Sequence, residues 1–257
     1  MPETALSIGG LQFHLRLPSL PRADVEIAPF VVETAETCDV LVDYRPDESD
    51  PDYSVTVSPD GGRVTVRYPA DLSYRFAALR GCLMHIPMEQ ILLAHDRFFL
   101  HASFVASPFG GLLFTGDSGV GKSTQAELWR AHTGSTVING DRAIVAKAAD
   151  GWRAYGSPYA GSSGYYVKRD EPIRAIILLE QAAENQADAV PPAEAFRKLL
   201  LQISVDHSRT YDVERLCDLV AGLMAAVPIY RLRCTPDIRA VDALRATLRK
   251  EDVNGGK

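Results

Sequence analysis

Gly116-Asp117-Ser118-Gly119-Val120-Gly121-Lys122-Ser123 is the stretch of this chain best suited to chemistry. It fits G-x-x-x-x-G-K-[ST], the pattern of a loop that cradles nucleotide phosphates. Glycines let successive backbone N–H groups turn inward toward phosphate oxygens. A helix beginning at Lys122 would aim its positive end at the same anion. In that arrangement Lys122 reaches the β- and γ-phosphates, Ser123 offers a hydroxyl to Mg²⁺, and Thr124 completes the phosphate-binding set. Asp117 and Ser118 lie beside the phosphates by geometry. A carboxylate there is repelled by phosphate unless metal, water or a donor intervenes, so Asp117 reads either as an orienter of water or base, or as a turn former.

A phosphate loop needs a carboxylate at the end of a neighbouring strand to hold Mg²⁺. Asp141 closes the first strand-like run after the loop's helix and is the candidate, with a plain turn aspartate after Gly140 as the alternative. His101 lies on an apolar run, and spacing alone favours a core histidine. His132 falls in a helix-terminal turn and reads as structural. His14, His85, His95 and His207 show no partner spacing. Phosphoryl transfer is mostly positioning plus charge stabilisation, so cations beyond Lys122 are sought, and Arg142, Lys168 and Arg169 are the candidates.

Those residues need a strand before the loop and a helix after it. Leu112-Leu113-Phe114 supplies the first, and Thr124–Arg130 the second, stopped at His132-Thr133-Gly134. Upstream, Arg97–Ala106 reads as a strand turned back by Ser107–Gly111. The register of that hairpin decides whether His101 lies at the phosphate end, and the sequence leaves it open. Downstream, Ser135–Asn139, Ala143–Lys147, Trp152–Tyr155 and the apolar Ile173–Leu179 read as strands, and Ile229–Cys234 as a late one. Gly156–Gly164 is too rich in glycine and serine for regular structure and reads as a long functional loop. Pro192–Ile203 and Val213–Ala225 are helical patterns. Thr235-Pro236-Asp237 starts a last helix, with Thr235 as cap, running to about Lys250, before a frayed tail.

The first 70 residues are β-rich. Leu11, Phe13, Leu15 and Leu17 alternate with polar neighbours, Asp39–Tyr44 is a second strand candidate, and Tyr53–Val57 with Arg63–Tyr68 flank the turn Pro59-Asp60-Gly61-Gly62. Arg45–Asp52 holds four carboxylates but lacks calcium-loop spacing, so it reads as a solvated loop. A helix is expected over Asp71–Leu83 with Asp71 as cap, and a second over Met88–Ala94.

With 257 residues, the chain suits one large domain or one domain plus a smaller one. A net charge of −6 does not support a nucleic-acid footprint. Cys38, Cys82, Cys217 and Cys234 form no Cys-x-x-Cys pair, which argues against a zinc ribbon or disulfide framework and for reduced thiols. The absence of a signal-peptide pattern or apolar span predicts a soluble, cytoplasmic protein without a membrane partner.

Taken together, Leu100-His101-Ala102-Ser103, the Gly116–Ser123 loop and Asp141 resemble the HPr kinase and ATP-dependent phosphoenolpyruvate carboxykinase group of P-loop proteins. The chain is most similar to HPr-kinase-like proteins found beside peptide-modification genes. That likeness rests on Gly121-Lys122-Ser123-Thr124-Gln125-Ala126, Asn139-Gly140-Asp141-Arg142, Tyr155-Gly156-Ser157-Pro158 and the run from Ile229 to Asp237, and covers roughly residues 87–245. The resemblance implies an α/β fold with a mixed central sheet around the loop, as a kinase-like domain over 87–257 after a β-rich region over 1–86. It implies ATP and Mg²⁺ as cofactors, with Ser123 and Asp141 on the metal.

The family carries two adjacent acids, one for Mg²⁺ and one for proton removal, whereas this chain reads Gly140-Asp141. The metal role carries over to Asp141. The base is then Asp141 itself, His101 or Asp117. The late arginine- and glycine-rich signature of HPr kinases is not recognisable, so HPr is not implied as the acceptor. The expected function is transfer of the ATP γ-phosphoryl to a hydroxyl of a small protein or peptide, with Asp141, His101 and Lys122 catalytic. The alternative is a nucleotide-binding regulatory or scaffolding module of a peptide-modifying complex. Assembly into a homo-oligomer is left open.

Overall fold

The computed structural model describes residues 1–33, 37–47, 53–205 and 212–255. The Glu48–Asp52 part of the acidic stretch, His207 and the last two residues lie outside the described residues, whereas Arg45–Asp47, expected in a solvated loop, instead continue a strand by pairing with Arg67–Pro69. The chain forms two mixed α/β units: Met1–Arg97 with Val205–Asp212, and Phe98–Ser204 with Val213–Lys257.

The first unit contains β1 (Glu3–Ile8), β2 (Leu11–Arg16), β3 (Val31–Val32), β4 (Val40–Asp47), β5 (Ser54–Val57), β6 (Arg63–Pro69), α1 (Leu79–Met84) and α2 (Met88–Ala94). Its sheet runs β3-β1-β2-β4-β6-β5. The β1–β2 hairpin turns on Gly9 and Gly10, both with positive φ, which matches the right-handed strand twist. The alternation of Leu11, Phe13 and Leu15 does place one face of β2 in the core. Tyr44 is fully buried and donates its hydroxyl to Cys82 O at 2.9 Å, so burial of the ring costs no unmet polar group. Burial among these residues pushes the Cys82 thiol up to about 12, making it an inert core residue.

The single helix expected over Asp71–Leu83 is instead a 3₁₀ helix (Ala70–Phe76) followed by α1, and Asp71 is not its cap. The break comes from Arg22. Its N–H bonds Ala77 O and its carbonyl accepts from Leu79 N, holding Ala78 extended. A strand-like pairing therefore overrides the helical spacing.

The second unit contains β7 (Arg97–Ser107), β8 (Gly110–Thr115), α3 (Lys122–Thr133), β9 (Thr136–Asn139), β10 (Arg142–Ala148), β11 (Gly151–Tyr155), β12 (Asp170–Gln181), β13 (Gln186–Ala189), α4 (Pro192–Leu200), α5 (Val213–Ala226), β14 (Ile229–Cys234) and α6 (Ile238–Gly255). The sheet order is β11-β10-β7-β8-β12-β14-β13, with β9 also on β7. β7 and β8 form an antiparallel hairpin, whereas β8, β12 and β14 are mutually parallel. The apolar run in β12 follows from its place between two parallel neighbours, where both faces are covered. Trp129 of α3 is fully buried with Phe114, Ile177 and Leu244. Truncating such a ring costs about 3–5 kcal/mol.

Among the helices, α4 and α6 have boundaries that differ from expectation. α4 stops at Leu200, because Gln202 O accepts from His101 N and Ile203 bridges Leu100. α6 starts one residue after Asp237, whose carboxylate accepts from Arg239 N, so Asp237 rather than Thr235 caps it. That helix also runs on to Gly255, five residues past the expected end at Lys250. No helix among the described residues is long and apolar enough to cross a membrane.

Candidate functional site

The parallel strands β8, β12 and β14 end at one edge of the sheet, where Thr115 is level with Leu178 and Gln181 with Cys234. Ligands of α/β sheets bind beyond such carboxyl ends. Hairpin register sets Ala102 opposite Thr115, which carries His101 to this same edge. The Thr115 hydroxyl, fully buried, donates to His101 O at 2.8 Å and fastens the two strands there.

The glycine-rich loop spans the gap from β8 to α3. Gly116 has φ 138°, and a side chain there would crowd Val120 and the Leu179 carbonyl. Gly121, at φ 113°, is the residue before α3 and directs the chain into the helix. The Lys122 ammonium donates to Gly116 O at 2.9 Å and Asp117 O at 3.1 Å, so it holds the loop's entrance folded over the helix start. Burial lowers its pKa, opposed by the charges of Asp141 and Asp117.

Facing this loop is the turn between β9 and β10. Asn139, fully buried, accepts from Asp141 N at 2.9 Å and Arg142 N at 2.8 Å through one side-chain oxygen. Its amide nitrogen donates to Ser157 O at 3.0 Å and Tyr159 O at 3.4 Å. Ser157, also fully buried, donates to Arg142 O at 2.5 Å. The turn and the Gly156–Gly164 loop are thereby bolted together by side chains that touch no solvent.

Asp141 emerges from this turn with its Oδ1 3.3 Å from His101 Nε2 and its Oδ2 3.9 Å from Arg142 Nε. The hydrogen bond from His101, with the charges of His101, Arg142 and Lys122, holds the Asp141 carboxyl below its usual range against the opposing effect of burial.

A cavity of about 370 Å³ joins the two walls. It is bordered by His101, Ser118, Gly119, Gly121, Lys122, Ser123 and Thr124 on one side, and Gly140, Asp141, Ala160, Ser162 and Ser163 on the other. Asp117 does not border it. It opens instead toward a second cavity of about 420 Å³ with Arg197, Lys198 and Gln202, and Gln202 Nε2 approaches its carboxylate at 3.4 Å. Gly116 borders that second cavity. Val120 lines both it and a third, of about 540 Å³, with Gln125, Thr235 and Pro236. Lys168 and Arg169 do not border the first cavity, and Arg169 is paired with Glu171.

Two features had no separate signal in residue chemistry. Asn139 and Ser157 were visible only inside family-like patterns, and their burial explains why. The space beside Gly140 is also filled. A Cβ on Gly140 would stand 2.2 Å from Ser163 Oγ and 2.3 Å from its Cβ, so Ser163 occupies the space a side chain would need.

No family model matches the chain. No curated protein matches it either. Among solved structures it is similar to the HPr(Ser) kinase/phosphatase from Coxiella burnetii, at 15% identity and a TM-score of 0.33, over 62% of this chain and 99% of that one. The likeness is a distant one of structure.

Proposed function

We propose that the protein is a Mg²⁺-dependent kinase that transfers the γ-phosphoryl of ATP to a hydroxyl, with a serine of a small protein or peptide as acceptor. One observation carries the reading: Lys122, Ser123, His101 and Asp141, drawn from three separate elements, border a single cavity. The loop amides and Lys122 bind the β- and γ-phosphates, and the start of α3 adds its dipole.

Mg²⁺ takes oxygen ligands and keeps several waters, needing one or two protein oxygens beside substrate phosphates. Among the described residues no cluster of three or more His, Cys, Asp or Glu suits a metal ion. The Ser123 hydroxyl and Asp141 carboxylate on one cavity fit the sparser demand. Bound there, Mg²⁺ would neutralise charge on the phosphate oxygens. The acceptor hydroxyl gives its proton to the His101–Asp141 pair, whose ionised carboxylate fixes the imidazole. Asn139 holds Asp141 at its post.

The reading is tested with γ-labelled ATP and Mg²⁺ against serine peptides, hydroxy acids and free serine, with mass detection of products. Transfer to one of these classes is expected. Steady ATP turnover with no phosphorylated acceptor overturns it. A second reading, a nucleotide-binding regulatory module, draws on the single acid of the Gly140-Asp141 turn. It predicts partner binding that Lys122→Ala abolishes, with no phosphate transfer by the wild-type protein.

A further inference from the structure

We propose that the protein phosphorylates itself, in cis, on Ser162. The proposal rests on the kinase reading above and adds a modification site to it. The wall of the phosphate cavity that faces the loop is built partly from the chain's own Ala160, Ser162 and Ser163. An incoming hydroxyl on that side meets a segment that already carries two.

The two serines are not equivalent. Ser163 is engaged on both sides: its hydroxyl donates to Ala160 O at 2.6 Å and accepts from Tyr165 N at 3.3 Å, and its side chain packs on Gly140. Ser162 is exposed, and its hydroxyl makes no hydrogen bond among the described residues. The residue before it, Gly161, lies against Asp141: a Cβ there would stand 2.9 Å from the Asp141 Cγ and Oδ2. Ser162 is the next residue along, its Cα about 3.8 Å from that of Gly161, and it borders the same cavity as Asp141. Gly161 and Gly164, at φ 55° and 72°, bracket the serine pair and give this segment two pivots. A hydroxyl, a carboxylate and a glycine-rich loop bordering one cavity are the components of transfer to serine.

In the step, Ser162 Oγ forms a bond to the γ-phosphorus while the bond from that phosphorus to the bridging oxygen of ADP breaks, and the hydroxyl proton passes to the His101–Asp141 pair. ADP leaves with the electron pair. The product carries a phosphoserine in the cavity that served the reaction, so one turnover per chain is expected.

The test incubates the full chain with ATP and Mg²⁺, follows the intact mass, and maps the modified peptide by tandem mass spectrometry, with nucleotide binding measured in parallel. The expected result is one phosphoryl group per chain on Ser162, at a rate independent of protein concentration. Ser162→Ala is expected to lose it, and Ser162→Thr, which keeps a hydroxyl, to carry it as phosphothreonine. Lys122→Ala chains mixed with wild type are expected to remain unmodified. Nucleotide bound and transferred to an added acceptor, with residue 162 unmodified, overturns this proposal and leaves the kinase reading standing. Modification of the Lys122→Ala chains, or of another residue alone, also overturns it. Failure to bind nucleotide at all overturns both.

Discussion

The two walls of the cavity between the glycine-rich loop and the β9–β10 turn are built on opposite principles. The glycine-rich loop is a backbone device: its carbonyls are gathered by Lys122, its glycines adopt conformations other residues avoid, and its Asp117 and Ser118 side chains are exposed. The facing turn is a side-chain device. Asn139 and Ser157, both fully buried, fix where Asp141 stands. A backbone device tolerates change at most positions and fails at a few. A buried hydrogen-bond network fails wherever a partner is removed, because the remaining groups lose both protein and water.

The sharpest way to separate the walls is to remove one function from each. Lys122→Ala is expected to abolish nucleotide binding along with any transfer, checked by titration with a fluorescent ATP analogue. Asp141→Asn should keep nucleotide binding within several-fold while transfer falls by about 10²–10⁴, the usual range for a lost proton acceptor. Equal loss of binding in both variants would mean that the walls are not functionally distinct.

Asn139→Ala comes next. It strips Asp141 N, Arg142 N and the Ser157 and Tyr159 carbonyls of their shared partner. We expect about 2–4 kcal/mol of lost stability in urea unfolding, from several buried groups at roughly 1 kcal/mol each. Transfer should fall more than nucleotide binding, because Asp141 moves while the loop does not.

Gly140→Ala should cost about 1–3 kcal/mol through overpacking against Ser163, read as a lowered melting temperature. Ser163→Gly in the same chain should restore most of it.

Tyr165→Phe is the mildest. Tyr165 donates its hydroxyl to Glu127 of α3 and so ties the serine-bearing loop to the helix of the other wall. That bond, together with Arg130, lowers the Glu127 pKa. A depressed carboxyl pKa contributes stability that is full above its unfolded value and lost as pH falls through the folded one. The stability difference between wild type and Tyr165→Phe, under about 1 kcal/mol near neutrality and read from urea unfolding, should therefore shrink in acid below the ordinary glutamate range. A difference that persists there would assign the effect to packing instead.

The walls also differ in how they were legible. The loop could be read directly, because its glycines and lysine are required by local backbone geometry and fall in one short stretch. So could the β7–β8 hairpin, whose existence was clear while its register, and with it the end of the sheet that carries His101, was not. Register depends on which carbonyls pair across strands, and only the Ala102–Thr115 pairing decides it. Asp141 is legible as a candidate from its place after a strand. Asn139 and Ser157 were not found by chemistry, since a buried amide and hydroxyl look like any turn residues until their partners, 18 and 15 positions away, are known. The helix break at Ala77-Ala78 is hidden from the local sequence for a similar reason: Arg22, its pairing partner, is remote in sequence.

The contact between Gly140 and Ser163 also has a consequence for how sequences of this kind can vary. The two positions share one volume, so residue size at one should trade against residue size at the other across relatives. A carboxylate at 140 should be accompanied by glycine at 163, and a side chain at 163 by glycine at 140. The number of acids in the turn is then governed from 23 residues downstream, and converting a one-acid site into a two-acid site takes a paired exchange rather than a single substitution.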